Sequence, residues 1–180
     1  MFLSEGFLEF GVGDLAARLS CSRSTLYVVA QSKEQIVLAG LRHFFRGAAD
    51  RIEAKVEVEP DPGLKLSVYL RAVAQELEPA SQLFYADLAA YMPGREIYAE
   101  NTRYAAQRVR RLVDAGVEAG AMRPVDGGFV GTAVAAVMTA IQSGQFGEAT
   151  GLADAAAYAA LADLVMDGLR PEARSGRSTG

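Results

Sequence analysis

From Val12 to Lys33 the chain reads VGDLAARLSCSRSTLYVVAQSK, and no other stretch limits its possible folds so strongly. Val12, Leu15, Ala16 and Leu19 recur at the three-and-four spacing of an amphipathic helix, here about 12–19. The polar run Ser20-Cys21-Ser22 breaks that spacing, and a second short helical pattern follows over about 23–29, with Ser22 placed to cap it. Two short helices joined by a tight polar turn form a helix-turn-helix, which cannot bury a core alone and usually offers its second helix to the major groove of DNA.

The remaining sequence is also helical in period. Ser32 followed by Gln35 fits a capping box. Beyond it Ile36, Leu38, Leu41, Phe44, Phe45, Ala48 and Ile52 predict a helix of roughly twenty residues ending near Lys55. The segment EVEPDPG, residues 57–63, reads as a linker. After it, helices are expected over about 64–77, 79–91, 94–119, 126–143 and 152–169. Pro79, the Pro93-Gly94 turn, Gly120 and Asp126 mark their ends. No segment keeps a period of two, so the fold class is all-α. The expected division is a helix-turn-helix module at 1–56, a larger helical domain at 64–170 and a disordered tail at 171–180. Ahead of the motif only one helical turn, near Phe2-Leu3, is expected, followed by a loop at Glu5-Gly6-Phe7. A full covering helix usually stands there, so the first helix is largely missing: either the start is assigned late or the domain is incomplete.

Composition narrows the partners. A net charge of −4 excludes a uniformly basic surface, so any DNA footprint is local. Between Gly11 and Gly47 the basic Arg18, Arg23, Lys33, Arg42 and Arg46 outnumber the acidic Asp14 and Glu34. One cysteine, Cys21, excludes an internal disulfide and suits a reducing compartment, the cytoplasm by default. The N-terminus lacks the pattern of a targeting peptide. The uncharged run 127–145 is too polar and too short for a membrane span and reads as a buried helix. One histidine, His43, and one cysteine assemble no metal set, and no catalytic constellation or cofactor motif is present. An enzyme is not expected.

The motif resembles the head of the TetR (tetracycline-repressor-like) family of transcriptional regulators. The resemblance lies in Gly6-Phe7, Val12-Gly13-Asp14-Leu15-Ala16, Ser22-Arg23-Ser24-Thr25-Leu26-Tyr27 and Ser32-Lys33-Glu34, with a weaker later match at 120–126. It implies a homodimer, joined through its last two helices, that grips a palindromic double-stranded DNA operator and releases it when a small-molecule effector binds the larger domain. Three positions depart from the family pattern. Val29 and Ala30 stand where His and Phe are usual, and Gly11 stands at a common hydroxyl cap.

Candidate DNA contacts are Arg23, Ser24 and Thr25, which open the second helix, and Tyr27 and Lys33, which resemble the family's phosphate contacts. The alternative for each is a solvated residue near a helix end. Cys21 reads as a small turn residue rather than a redox switch, and the basic cluster Arg103, Arg108, Arg110 and Arg111 as a solvated face. Five of the seven tyrosines fall between Tyr69 and Tyr104. Buried phenols with polar partners suit a mostly apolar pocket for a hydrophobic or aromatic effector. The candidate lining is Phe84, Tyr85, Leu88, Tyr91, Tyr104, Phe129 and Met138, against the plainer reading of each as core. Alanines in the last two helices suit a four-helix dimer interface. The competing function is a dimeric small-molecule-binding protein whose helix-turn-helix no longer binds DNA.

Overall fold

The computed structural model describes residues 1–29 and 31–171. Its elements are α1 (Phe2–Glu5), α2 (Val12–Arg18), α3 (Arg23–Val29), α4 (Lys33–Glu57), α5 (Pro62–Leu77), α6 (Gln82–Ala90), α7 (Met92–Glu118), α8 (Gly127–Gln142), α9 (Gln145–Thr150) and α10 (Asp154–Gly168). Among the described residues there is no strand. The tail expected at 171–180 lies outside the described residues beyond Pro171.

Local chemistry sets the helix ends. Ser22 Oγ accepts the Thr25 amide, so α3 begins where its hydroxyl predicts. Ser32 Oγ accepts the Gln35 amide, but the reciprocal half of the expected box is displaced by one residue, because Gln35 Oε1 takes the Gln31 amide instead. Gly11 offers no side chain. Its own amide donates to Asp14 Oδ2 at 2.9 Å, which supplies half of a box. Asp61 caps α5 with Pro62 in its first turn, and the Lys65 ammonium donates to the last carbonyls of α4 at Val56 O.

Three expected boundaries shift. The helix expected from Pro79 starts at Gln82, because Ser81 accepts the Phe84 amide and fixes the cap later. Pro93-Gly94 is not a turn; it lies in the first turn of α7, where proline's missing N–H has no partner to lose. The helix expected over 152–169 is α10, and a separate short α9 precedes it, bracketed by Gly144 and Gly151 in the left-handed region.

Packing divides into three clusters. Leu15, Ala16 and Leu26 form a small core under α2 and α3, with Phe10, Cys21 and Ile36 beside it. Residues from α5, α7, α8 and α10, with Ile52 and Val56 of α4, form the main core. Between them Phe7, Val37, Leu41 and Phe45 pack on Phe84, Tyr85 and Leu88. The middle cluster therefore joins the front of the chain to α6. Phe7, 1% exposed, sets its ring edge-on to Phe84 and to Tyr91, each with centroids 6.1 Å apart. Ion pairs Arg51–Glu76 and Arg108–Glu53, at 2.7 and 2.8 Å, hold α4 against α5 and α7.

Candidate DNA-reading head and effector cleft

The α2–α3 turn is closed by backbone bonds. Cys21 N–H donates to Ala16 O and Ser20 N–H to Ala17 O, the paired bonds of a Schellman ending, with Ser20 at φ 52. Cys21 sits half-buried in this turn, and His43 is exposed on α4. α3 is anchored through Leu26, 6% exposed, while Arg23, Ser24, Thr25 and Tyr27 lie exposed on it. The Ser22 hydroxyl stands 2.7 Å from that of Ser24 and 2.8 Å from that of Thr25, so three hydroxyls gather at the start of the helix. The Arg23 guanidinium folds against Gly13 of α2, where an added Cβ would lie 2.6 Å from Nη2. Lys33 is committed differently, for its ammonium donates to Leu8 O at 2.5 Å. Arg18 is also engaged, paired with Glu5 at 2.6 Å and lying over the Phe10 ring. Ala30 lies outside the described residues.

A buried carboxylate ties this head to α6. Asp87, 7% exposed, accepts the Phe7 amide at 2.6 Å and the Leu8 amide at 3.0 Å, both on Oδ2. Such charge-assisted bonds are stronger than neutral ones. Gly6 makes the approach possible: its φ is +73, and a Cβ there would stand 2.5 Å from Asp87 Oδ2. Leu3 O accepts the Ser81 amide at 2.7 Å, a second link between the front of the chain and α6. Sequence reading missed Asp87. Its one signal is an acid inside the apolar run LFYADLAAY.

The other side of α6 lines a cleft of about 510 Å³ with α7 and α8. Of the seven candidate lining residues, the structure places Tyr85 and Leu88 here. Phe84 lies fully buried behind them, and Tyr91 is half-buried beside Phe7. Tyr104 borders a shallow hollow shared by α4, α5 and α7. Met138 packs on the main core, and Phe129, 71% exposed, stands on the outer face of α8. Tyr98, one of the five tyrosines between Tyr69 and Tyr104, also lines it, together with Gln82, Arg95, Thr139 and Gln142, which sequence reading did not single out. Gln142 had a faint signal, as a lone amide closing the apolar run of α8. A smaller cleft of about 300 Å³ opens between α5, α6 and α10, and Tyr85 borders both. Burial raises the Tyr85 and Tyr158 phenols well above the usual tyrosine range; Tyr158 and Tyr98 raise Tyr85 further, whereas the Gln142 amide beside Tyr158 partly offsets its rise. They stay neutral hydrogen-bonding groups at physiological pH.

On the outside, α8 and α10 present an apolar trough lined by Val130, Ala133, Val137, Leu161 and Val165, with Phe129 and Leu164 both more than two-thirds exposed at its margin. In the basic cluster, Arg108 is held by Glu53 and Arg110 by Asp114. No helix among the described residues is long and apolar enough to cross a membrane.

This arrangement, a helix-turn-helix head followed by a larger helical body, is shared by solved structures of transcriptional regulators. A transcriptional regulator from Saccharomonospora viridis in complex with choline superposes with a TM-score of 0.76 at 18% identity, covering 94% of this chain and 91% of its own. A TetR transcription regulator from Haloarcula marismortui gives 0.77 at 13% identity, over 94% and 92% of the two chains. The TetR family regulator PfmR from Thermus thermophilus gives 0.67 at 25% identity, over 94% of both. No family model and no curated protein matches the sequence. The chain has the TetR-regulator fold.

Proposed function

We propose that this protein is a ligand-responsive, DNA-binding transcriptional regulator that acts as a dimeric repressor. The observation that carries the reading is the display of α3. One buried side chain, Leu26, anchors the helix, and Arg23, Ser24, Thr25 and Tyr27 lie on its exposed side, engaged only with neighbours of the motif itself. A helix held so lightly and exposed so fully has a physical use in entering a major groove, with Arg23 reading a base edge and phosphates met by Tyr27 and by Lys33, whose ammonium keeps two donors beyond the one given to Leu8 O. The trough between α8 and α10 supports a two-fold dimer through those helices, since exposed Phe129 and Leu164 are costly in water. A dimer sets two such heads about one DNA turn apart, which calls for a palindromic operator.

The cleft between α6, α7 and α8 is the effector site in this reading. A choline-bound structural neighbour supports a small-molecule response in this fold. The coupling element is α6, which lines the cleft with Tyr85 and Leu88 and holds the Phe7-Leu8 amides through Asp87. A ligand that favours one placement of α6 thereby favours one placement of the head, and its differential affinity is the whole driving force.

Selection of binding sites from genomic fragments with the purified protein tests the proposal. A single palindromic sequence is expected to be enriched. Fragments recovered without a shared motif, together with a dimeric mass in light scattering, would instead favour a ligand-binding dimer with an inactive head.

A further inference from the structure

The wall of the α6–α7–α8 cleft carries one formal charge and one unanswered amide oxygen. Arg95 lines the cleft from the first turns of α7, no carboxylate lines it, and among the described residues no acid pairs with Arg95. Leu88, Ala86, Ala89 and the Tyr85 and Tyr98 rings make the rest of the wall largely apolar. Gln142, 5% exposed, closes its inner end, and Gln142 Oε1 is shielded from solvent with no hydrogen-bond partner. Across Tyr85, the shielded Tyr158 hydroxyl stands close to the Gln142 amide and the Tyr85 phenol without a well-formed bond to either. Native interiors pair nearly all their buried polar atoms, so Gln142 Oε1, shielded beside the cleft without a partner, marks a place where the partner is not part of the chain.

The charges discriminate between ligand classes. A cation entering the larger cleft meets a guanidinium and no acid, whereas Glu78 and Asp154 line the smaller one beside Arg71. An anion meets the opposite balance. Resting on the reading of this cleft as the effector site, we infer that the effector is an apolar organic carboxylate bearing a hydroxyl or amide group. Its carboxylate pairs with Arg95, its body lies along Leu88 and the two tyrosine rings, and its hydrogen-bonding group answers the Gln142 amide. A carboxylate and a guanidinium make the directional pair that a point charge does not, and a volume of about 510 Å³ admits a ligand of this kind.

The test uses the full chain and ω-(4-hydroxyphenyl)alkanoates with one to four methylenes. Their primary amides, the phenyl parents lacking the hydroxyl, and choline complete the panel. Binding is read as a rise in unfolding midpoint and by calorimetry. At least one hydroxyphenyl acid is expected to bind, about tenfold more tightly than its amide or its phenyl parent. Arg95→Met, a change at an exposed residue, should erase the preference for acid over amide. Gln142→Leu should erase the preference for the hydroxyl, while the free variant melts no lower than wild type because an unpaired buried atom has been removed. Choline or the amides binding as well as the acids, no acid binding at all, or an acid preference that survives Arg95→Met would each overturn the inference. Failure of the regulator reading shows separately, as the absence of a selected palindrome, and leaves the acid preference intact.

Discussion

The head and the body of this molecule treat their polar and apolar atoms in opposite ways. In the head, three small or medium side chains, Leu15, Ala16 and Leu26, form the core, and its polar side chains are displayed or spent on backbone carbonyls and carboxylates. The body has apolar residues from four helices to spare, and it leaves two polar atoms buried and unpaired around Tyr85. The difference is instructive. A reading head needs a surface more than a core and borrows its rigidity, here through Phe7 and Asp87, from the domain it stands on. The body has enough core to carry the cost of two buried polar atoms without partners.

The hardest way to break this comparison is to remove the borrowed support. Phe7→Ala deletes a ring that touches Phe2, Phe84 and Tyr91 and should cost about 3–5 kcal/mol in urea unfolding. A loss well under 1 kcal/mol would mean that the head stands by itself. Asp87→Ala should cost roughly 1–3 kcal/mol for each of the two amides left without an acceptor. In the same variant, operator affinity should respond less to ligand, which anisotropy titrations with and without effector would reveal.

The display side of the comparison is sharpened by DNA titrations. Arg23→Ala is expected to cost about 1–3 kcal/mol on the selected operator and to relax sequence preference, whereas Lys33→Ala should weaken all sequences alike and lower the salt slope by about one. Equal losses on specific and random duplexes for Arg23→Ala would remove it from base reading.

Alkaline titration separates the two regions through their phenols. Burial raises Tyr69, Tyr85 and Tyr158 above their unfolded pKa of about 10. A raised folded pKa means that stability is fully present below pH about 10 and is lost as the pH climbs toward the folded values. The slope is about 1.4 kcal/mol per pH unit for each phenol. The core of Leu15, Ala16 and Leu26 contains no phenol, so thermal midpoints at rising pH should report loosening of the body first. Tyr85→Phe should flatten that fall.

The smallest expected effect lies at a pair of matched helix ends. α2 and α7 both finish with Schellman bonds, but the left-handed position is Gly120 in α7 and Ser20 in α2. Ser20→Gly should raise the midpoint by the equivalent of about 0.5–1 kcal/mol, since serine pays a Cβ penalty there that glycine avoids. A lowered midpoint would show that the Ser20 side chain contributes something the backbone bonds do not.

What could be read from the sequence was local. Helices in both the head and the body begin and end at Ser22, Ser32, Asp126 and Gly120 because those residues satisfy the free amides and carbonyls nearest to them, an effect confined to a few residues. The all-α class followed from periodicity for the same reason. Where two local signals competed, the structure chose: Ser81 displaced Pro79 as the start of α6, and α9 was hidden in a stretch too short for its period to show.

The candidate site was legible only in part. Tyr85 and Leu88 stood out as apolar residues, yet nothing in their neighbourhood distinguished them from Phe84, which packs inward, or from Phe129, which faces outward on another helix. Asp87, Arg95 and Gln142 acquire their meaning from partners or from a missing partner, and those relations cross 80 residues in one case and three helices in another. Sequence by itself determined the helices, their caps and the reading motif, because those depend on side chains meeting their own backbone. Tertiary structure decided which face of α6 lines a cleft and which holds the head, because burial and pairing belong to the space between helices and not to any one of them.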